Sequence, residues 1–244
     1  KEQEVATLLH HANALENKID VMEGIKMYPT SFVQTHHMIQ SGQMSEAGYH
    51  ELGQQYREDF PQAFGVDIEA RLQSVVGQLA GGFEVIAPPT RSGEGAFVPF
   101  NFRYLYPGAG RLTVHCGMII YHEFSQLADR YAHFTDNQRQ ISFFILLQAP
   151  KSGGELMIYD LNWNDAEKRP DQWHIQRKDG TLHDIRDPKS LARMDISPQP
   201  STLILFDGGH VWHQVETVQG DQPRITLGGF MSFSPDFKKL YYWT

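Results

Sequence analysis

Near Phe83 the hydrophobic period of this chain changes, and that change limits the available folds more than any other feature. Before it, apolar residues recur at spacings of three and four: Val5, Leu8, Leu9, Ala12 and Leu15, then Ile68, Leu72, Val75, Val76 and Leu79. Such spacing lines one face of a helix. It predicts helices over 1–17 and 68–79, the second stopped by Gly81-Gly82, with another from Ser45 to Phe60 closed by Pro61. After Phe83 the chain turns to short β-branched and aromatic runs separated by Gly, Pro, Asn and Asp. The predicted strands are Arg111–His115, Ile141–Leu147, Glu155–Tyr159, Thr202–Phe206, Val211–Val215 and Ile225–Phe233. Helices followed by many short strands imply a mainly β protein: an antiparallel barrel or jelly roll over 83–244, with a helical preface, 1–82, packed outside. A chain of 244 residues can build this as one domain, 1–244.

Charge and cysteine content narrow the function. A formal net charge of -8, with both signs interspersed, gives no basic stripe to follow a phosphate backbone, so no nucleic-acid polymer is expected as a partner. The lone Cys116 rules out an internal disulfide framework and fits a reducing cytoplasm. No apolar run approaches the roughly 18 residues that span a bilayer, and no signal-peptide pattern opens the chain, so no membrane association is expected. The charged, Pro-rich stretch 162–201 separates two strands and reads equally as a lid or a surface excursion.

The chemistry-bearing pattern is His115-Cys116-Gly117 with His213 and Arg224 further on. Non-haem Fe(II) oxygenases hold their metal with two imidazoles and a carboxylate on one face. The usual sequence form is HxD or HxE followed by a later His, yet none of the 12 histidines here has an acid two residues on. At the position for the acid stands Gly117. If His115 and Gly117 lie at the end of one strand, their side-chain directions share a face, as an HxD pair requires. Arg224, with Thr226 on the same strand face, could take a carboxylate through two parallel hydrogen bonds. A lone histidine in a β-rich chain is more often an ordinary packed or surface group. The ordered set of His115, the Gly153-Gly154-Glu155-Leu156 turn, His213 and Arg224 is what makes a metal site the better reading. His210 with His213, and His133 with Asp136, are weaker pairings and read as supporting or surface groups.

These residues carry a resemblance. From Gly153 the chain reads GGELMIYDLNWND and then, from Leu203, LILFDGGHVWHQVETVQGDQPRITLGGFMSFSPDFKKLYYWT, with LTVHCG upstream. It resembles the Fe(II)/2-oxoglutarate-dependent aliphatic halogenases, of the freestanding type similar to those acting on hapalindole and welwitindolinone alkaloids. The resemblance implies a double-stranded β-helix (jelly roll, cupin-like) in which His115 and His213 bind Fe(II). It further implies that Arg224 and Thr226 hold 2-oxoglutarate, that chloride, or bromide in its place, coordinates beside Gly117, and that the Ser142 hydroxyl orients the oxygen-derived ligand. With dioxygen as cosubstrate, such an enzyme takes hydrogen from an unactivated aliphatic carbon and returns chlorine. No carrier protein is expected.

For the substrate wall the expectation falls on Leu112, Ile120 and His122, with ordinary barrel packing the plainer reading of the two aliphatics. Arg103, Tyr104 and Tyr106 could meet a polar or anionic substrate group, or simply form a solvated loop edge. The segment from Ile119 to Arg139 departs from the family in length and polarity, with Tyr121, His122, Glu123 and His133 expected to border the substrate. The substrate is therefore read as an alkaloid-like natural product, with a nucleotide or amino-acid derivative as the alternative. Tyr241, Tyr242 and Trp243 read as a plug sealing the core. Two other functions compete: a hydroxylase of the same fold with water at the Gly117 gap, and a barrel that binds without catalysis.

Overall fold

In the computed structural model, residues 2–16, 24–123, 125–135, 139–168, 174–177, 180, 182–184 and 191–244 are described. The chain begins with α1 (Glu2–Glu16), β1 (Ile25–Tyr28), α2 (Phe32–Gln40), α3 (Glu46–Phe64) and α4 (Ile68–Leu79). There follow β2 (Glu84–Ile86), β3 (Asn101–Leu105), β4 (Leu112–His115), α5 (Gly117–Glu123), α6 (Ser125–Tyr131), β5 (Ile141–Gln148) and β6 (Leu156–Asn162). Strands β7 (Ala166–Lys168), β8 (His174–Arg177) and β9 (Leu182–Asp184) make a small sheet of their own. The remaining strands are β10 (Arg193–Ile196), β11 (Leu203–Phe206), β12 (Val211–Val215), β13 (Arg224–Phe233) and β14 (Lys239–Trp243).

Two sheets form the jelly-roll core. The smaller runs β10-β6-β12-β4, antiparallel throughout. The larger is organised by β13, which pairs with β3 near its start, with β14 near its end, and with β5 along its other edge. Outer strands β1, β11 and β2 extend it, β2 alone running parallel to its neighbour β14.

The helices pack outside through the faces that the periodicity marks. Val5, Leu8 and Ala12 of α1 are buried, and the Tyr104 hydroxyl of β3 donates to the Ala12 carbonyl at 2.8 Å, tying helix to sheet. Ser45 caps α3 by accepting from the Gly48 N–H, and Asp67 caps α4 by accepting from Ala70. Tyr49, Tyr56, Phe60 and Phe64 then form an aromatic stripe on α3 that meets Phe97, Phe100 and Phe102, with Phe60 and Phe64 stacked at 4.2 Å. Among the described residues, no helix is long and apolar enough to cross a membrane.

Several expectations need correction. Pro61 does not close α3, which continues to Phe64. A proline inside a helix costs one backbone hydrogen bond, and here the buried Phe60–Phe64 stack on either side of it offsets that loss within the last turn. Residues 1–82 are not wholly helical, because β1 joins the larger sheet with Met27 opposite Arg103. Residues 101–105 are an inner strand rather than a loop edge, with Tyr104 fully buried. Of the 162–201 stretch, β10 pairs with β6 and so belongs to the core sheet, and β7–β9 stand apart from it. The C-terminal aromatics behave as anticipated: Tyr241, Tyr242 and Trp243 lie in β14 and are buried.

The end of the chain is anchored by Tyr49, whose hydroxyl donates to the Thr244 backbone oxygen at 2.8 Å and accepts from the Val98 N–H at 3.3 Å. Tyr49→Phe leaves both groups short of a partner in a dry site. The expected cost is about 1–3 kcal/mol, read as a lower urea midpoint with unchanged slope. A midpoint equal to wild type would show that the hydroxyl does not pin the C-terminus.

Candidate metal and cosubstrate site

The site lies in a cavity between the two sheets. Strands β4 and β12 are antiparallel neighbours, and their register sets His213 directly opposite His115, with ring centroids 4.3 Å apart. Irregularities flank His213 along both of its neighbours, towards Val215 on the β4 side and towards Val211 on the β6 side. Bulges of this kind re-aim side chains where function needs it.

Each histidine is held in the same way by its own strand. The Nδ1 of His115 lies 2.6 Å from the Thr113 carbonyl, and that of His213 lies 2.9 Å from the Val211 carbonyl. A carbonyl oxygen only accepts, so each Nδ1 carries the proton and each Nε2 presents a lone pair. Burial pushes the pKa of His115 below the usual histidine value. It pushes that of His213 well below, and the neighbouring His115 adds to the effect. Two neutral imidazoles with oriented Nε2 atoms are the donor set a divalent cation takes. Among the described residues no cluster of three or more His, Cys, Asp or Glu forms, so none of them adds a third ligand of these types beside the two imidazoles.

Gly117 is not on the strand but opens α5. Its N–H donates to the Gly208 carbonyl at 2.8 Å, and that of Met118 to Gly209 at 2.9 Å, while Gly209 in turn donates to the Gln140 carbonyl at 2.9 Å. The three segments therefore close around one point. A Cβ on Gly117 would lie 2.8 Å from the Gln140 Nε2 and 3.1 Å from the Gly209 Cα. The space where a ligand side chain would start is thus bordered by the buried Gln140 carboxamide, a residue that the sequence pattern did not single out. Its only sequence signal is its position two residues before Ser142 on the same run. Gly208 serves Ser142 likewise: a Cβ there would come within 2.1 Å of the Ser142 Oγ.

Away from the histidines the cavity is cationic. Arg224 is 3% exposed, with its guanidinium 4.9 Å from the Phe144 ring centre, and burial lowers its pKa to about 9. Thr226, two residues on, is equally buried and pairs in register with Arg103 of β3. Burial lowers the pKa of Arg103 to about 10, so both guanidiniums stay charged at neutral pH. Leu112, Ser142, Phe206 and Asn101 also line the wall, and none of the described lining residues is an acid. A buried and a half-buried guanidinium with no counter-ion among the described residues are costly, and a bound anion relieves that cost.

The cavity thus gathers His115, His213, Gly117, Ser142, Arg224, Thr226, Leu112 and Arg103. The side chains of Ile120, His122 and Glu123 lie outside the described residues. Tyr121 and His133 turn away from the cavity. Tyr121 packs in the main core, its ring 6.5 Å from that of Tyr131, and the His133 ring nitrogens lie 2.9 Å from the Arg130 and Pro89 carbonyls. His210 faces Asp207, 3.1 Å away, rather than the His115–His213 pair. Asp136 lies outside the described residues.

Comparison with known proteins follows the same lines. The family model described as carrier-protein-independent halogenase WelO5 matches residues 2–244. No curated relative matches the sequence. Among solved structures, the chain is similar to an N-substituted L-amino acid dioxygenase from Burkholderia ambifaria in complex with alpha-KG. That match has a TM-score of 0.51 at 16% identity and covers 88% of this chain and 77% of the other. The non-heme alpha ketoglutarate dependent epimerase SnoN from nogalamycin biosynthesis gives a TM-score of 0.48 at 10% identity, covering 94% and 74%. At such identities the first of these likenesses speaks for the fold, that of the 2OG-Fe(II) oxygenases.

Gly117→Asp should destabilise the protein by about 1–3 kcal/mol through overpacking against Gln140, with part of the loss recovered by adding Gln140→Ala. Thermal unfolding of the two single variants and the double variant measures the coupling. Strictly additive effects would show that Gln140 does not occupy the space a side chain at 117 needs.

Proposed function

The chain belongs to the carrier-protein-independent halogenase family, and on that premise we propose that it chlorinates an unactivated aliphatic C–H of a freestanding small molecule, with Fe(II), 2-oxoglutarate, dioxygen and chloride as cofactors and cosubstrates. Bound iron with 2-oxoglutarate and dioxygen would supply the oxidant that removes a substrate hydrogen, and the halide would then join the carbon radical left behind, its surplus electron returning to the iron. What carries this reading is the His115–His213 pair, aimed by two backbone carbonyls and set beside a glycine where a third, carboxylate ligand would stand.

In this reading His115 and His213 bind the metal through Nε2. Chloride takes the position that an Asp at 117 would fill, replacing both its charge and its coordination. Arg224 and Thr226 hold the far carboxylate of 2-oxoglutarate; the unpaired, nearly buried guanidinium supports this role. Ser142, brought to the cavity wall by the glycine at 208, presents a hydroxyl that can fix the orientation of the oxygen-derived ligand. The apolar part of the wall, including Leu112 and Phe206, keeps the substrate carbon against the metal and excludes water, and position decides between chlorine and hydroxyl transfer. Residues 1–244 act as one oxygenase-type domain, working in a reducing cytoplasm on a natural product of alkaloid type. The family description, independent of a carrier protein, supports a free substrate.

Anaerobic protein given Fe(II) and 2-oxoglutarate should develop a visible charge-transfer band, and oxygenated mixtures with a trial alkaloid should yield chlorinated product only when halide is present. Bromide in place of chloride should give the bromo product. His115→Ala or His213→Ala should abolish both band and product. Hydroxylated product formed at the same rate with and without halide would replace the halogenase reading by the hydroxylase one, and absence of the band would favour a barrel that only binds.

A further inference from the structure

Arg103 has no role in the functional reading above, yet its placement is specific. It springs from the inner face of the larger sheet, between Met27 of β1 and Thr226 of β13 in register. Asn101 and Arg103, two apart on β3, both line the cavity, as do Arg224, Thr226 and Gly228 on β13. The two arginines thus stand on one face of neighbouring strands, with Thr226 adjacent to both.

The guanidinium of Arg103 makes no hydrogen bond or ion pair with a described residue, and its Nε is buried without a partner. Arg224 likewise makes no hydrogen bond or ion pair with a described residue, and its guanidinium lies 4.9 Å from the Phe144 ring centre. A single carboxylate can satisfy one such fork through two parallel hydrogen bonds. Two forks in one cavity with no acid among its described lining residues therefore call for two anionic groups. The two arginines also differ in what they face. Register orders them along β13: Ser142, which the Gly208 turn sets near Gly117, lies opposite Phe230, Arg103 lies opposite Thr226, and Arg224 stands two residues further from that end, opposite Leu105. Arg103 is accordingly the cation at the metal end of the cavity, and Arg224 the cation at its far end.

Resting on the assignment of 2-oxoglutarate to this cavity, we propose that Arg103 is a second cosubstrate-binding residue, pairing with the carboxylate next to the keto group while Arg224 pairs with the distant one. The dianion is then bracketed by opposed guanidiniums, which fixes its direction as well as its affinity. The carboxylate beside the keto group is the one that reaches the metal, so Arg103 would also hold it in a single orientation at the imidazole pair. This assigns Arg103 to the cosubstrate and not to an anionic substrate.

Binding of three acids to Mn(II)-loaded, oxygen-free protein separates these roles, with dissociation constants measured by calorimetry: 2-oxoglutarate, 2-oxobutanoate, which lacks the distant carboxylate, and glutarate, which lacks the keto group. Arg103→Gln should weaken both oxo acids by a similar factor, about 10- to 100-fold. Arg224→Gln should weaken 2-oxoglutarate by a comparable factor and leave 2-oxobutanoate unchanged. Arg103→Lys, which keeps the charge but loses the fork, should retain part of the affinity for both. Glutarate should bind more weakly than 2-oxoglutarate in every protein that carries Arg103. Thermal unfolding of the ligand-free proteins controls for folding: removing a half-buried cation whose Nε has no partner should leave Arg103→Gln at least as stable as wild type. Unchanged affinity for 2-oxobutanoate in Arg103→Gln would overturn the assignment and return Arg103 to the substrate. Failure of the wild-type protein to bind either oxo acid would instead remove the oxygenase reading, and this assignment with it.

Discussion

A one-residue slip between β4 and β12 would turn one imidazole of the His115–His213 pair to the opposite face of the sheet, because side chains alternate with a period of two. The antiparallel register that opposes these residues is therefore the constraint on which the site depends. Much of the nearby structure keeps it in place. The register shifts flanking His213 localise the irregularity to that strand. The turn at Gly208-Gly209 ties the start of α5 to Gln140, and Trp212, 1% exposed, packs the opposite side of β12 into the second apolar cluster.

Electrostatics set what the cavity can accommodate. Its wall offers two neutral imidazoles and two guanidiniums, one buried and one half-buried, with no acid among the described lining residues, a composition that suits a cation together with anions. In most sites of this geometry the protein itself supplies one of the negative charges. Here the glycine at 117 withholds it, and the Gln140 carboxamide beside it leaves little room for a side chain to return. The proposed chloride fits such a place because it brings a charge without needing a Cβ. An acid restored at 117 would compete with the Gln140 carboxamide for one volume in a close-packed interior.

The sequence carried a good part of the fold. The strands that hold the site, 112–115, 141–148, 203–206, 211–215 and 224–233, agree with the runs read from β-branched and aromatic residues to within a residue or so at each end. The helices 2–16 and 68–79 follow their apolar spacing closely. Elements that escaped notice have weak local signals: β1 has four residues, β2 three, and β3 interrupts its apolar residues with Asn101 and the half-buried Arg103. Short strands at a sheet edge are stabilised by their neighbours more than by their own composition. The boundary at Pro61 was misplaced because a local rule about proline yields to the aromatic packing on either side of it.

By itself, then, the sequence determined which groups could do chemistry here: two histidines and an arginine in a given order, with glycine at the position of an acid. Residue identity and spacing along a strand are local properties, and they suffice to name donors, charges and a missing ligand. Only the tertiary structure decided that His115 and His213 meet across a strand pair, that Gln140 borders the glycine, and that Arg103 shares a cavity with Arg224. Those relations join residues up to 121 positions apart, from Arg103 to Arg224, through strand register and the closure of two sheets. Distances of that kind are fixed by the packing of the whole core, which no local pattern records.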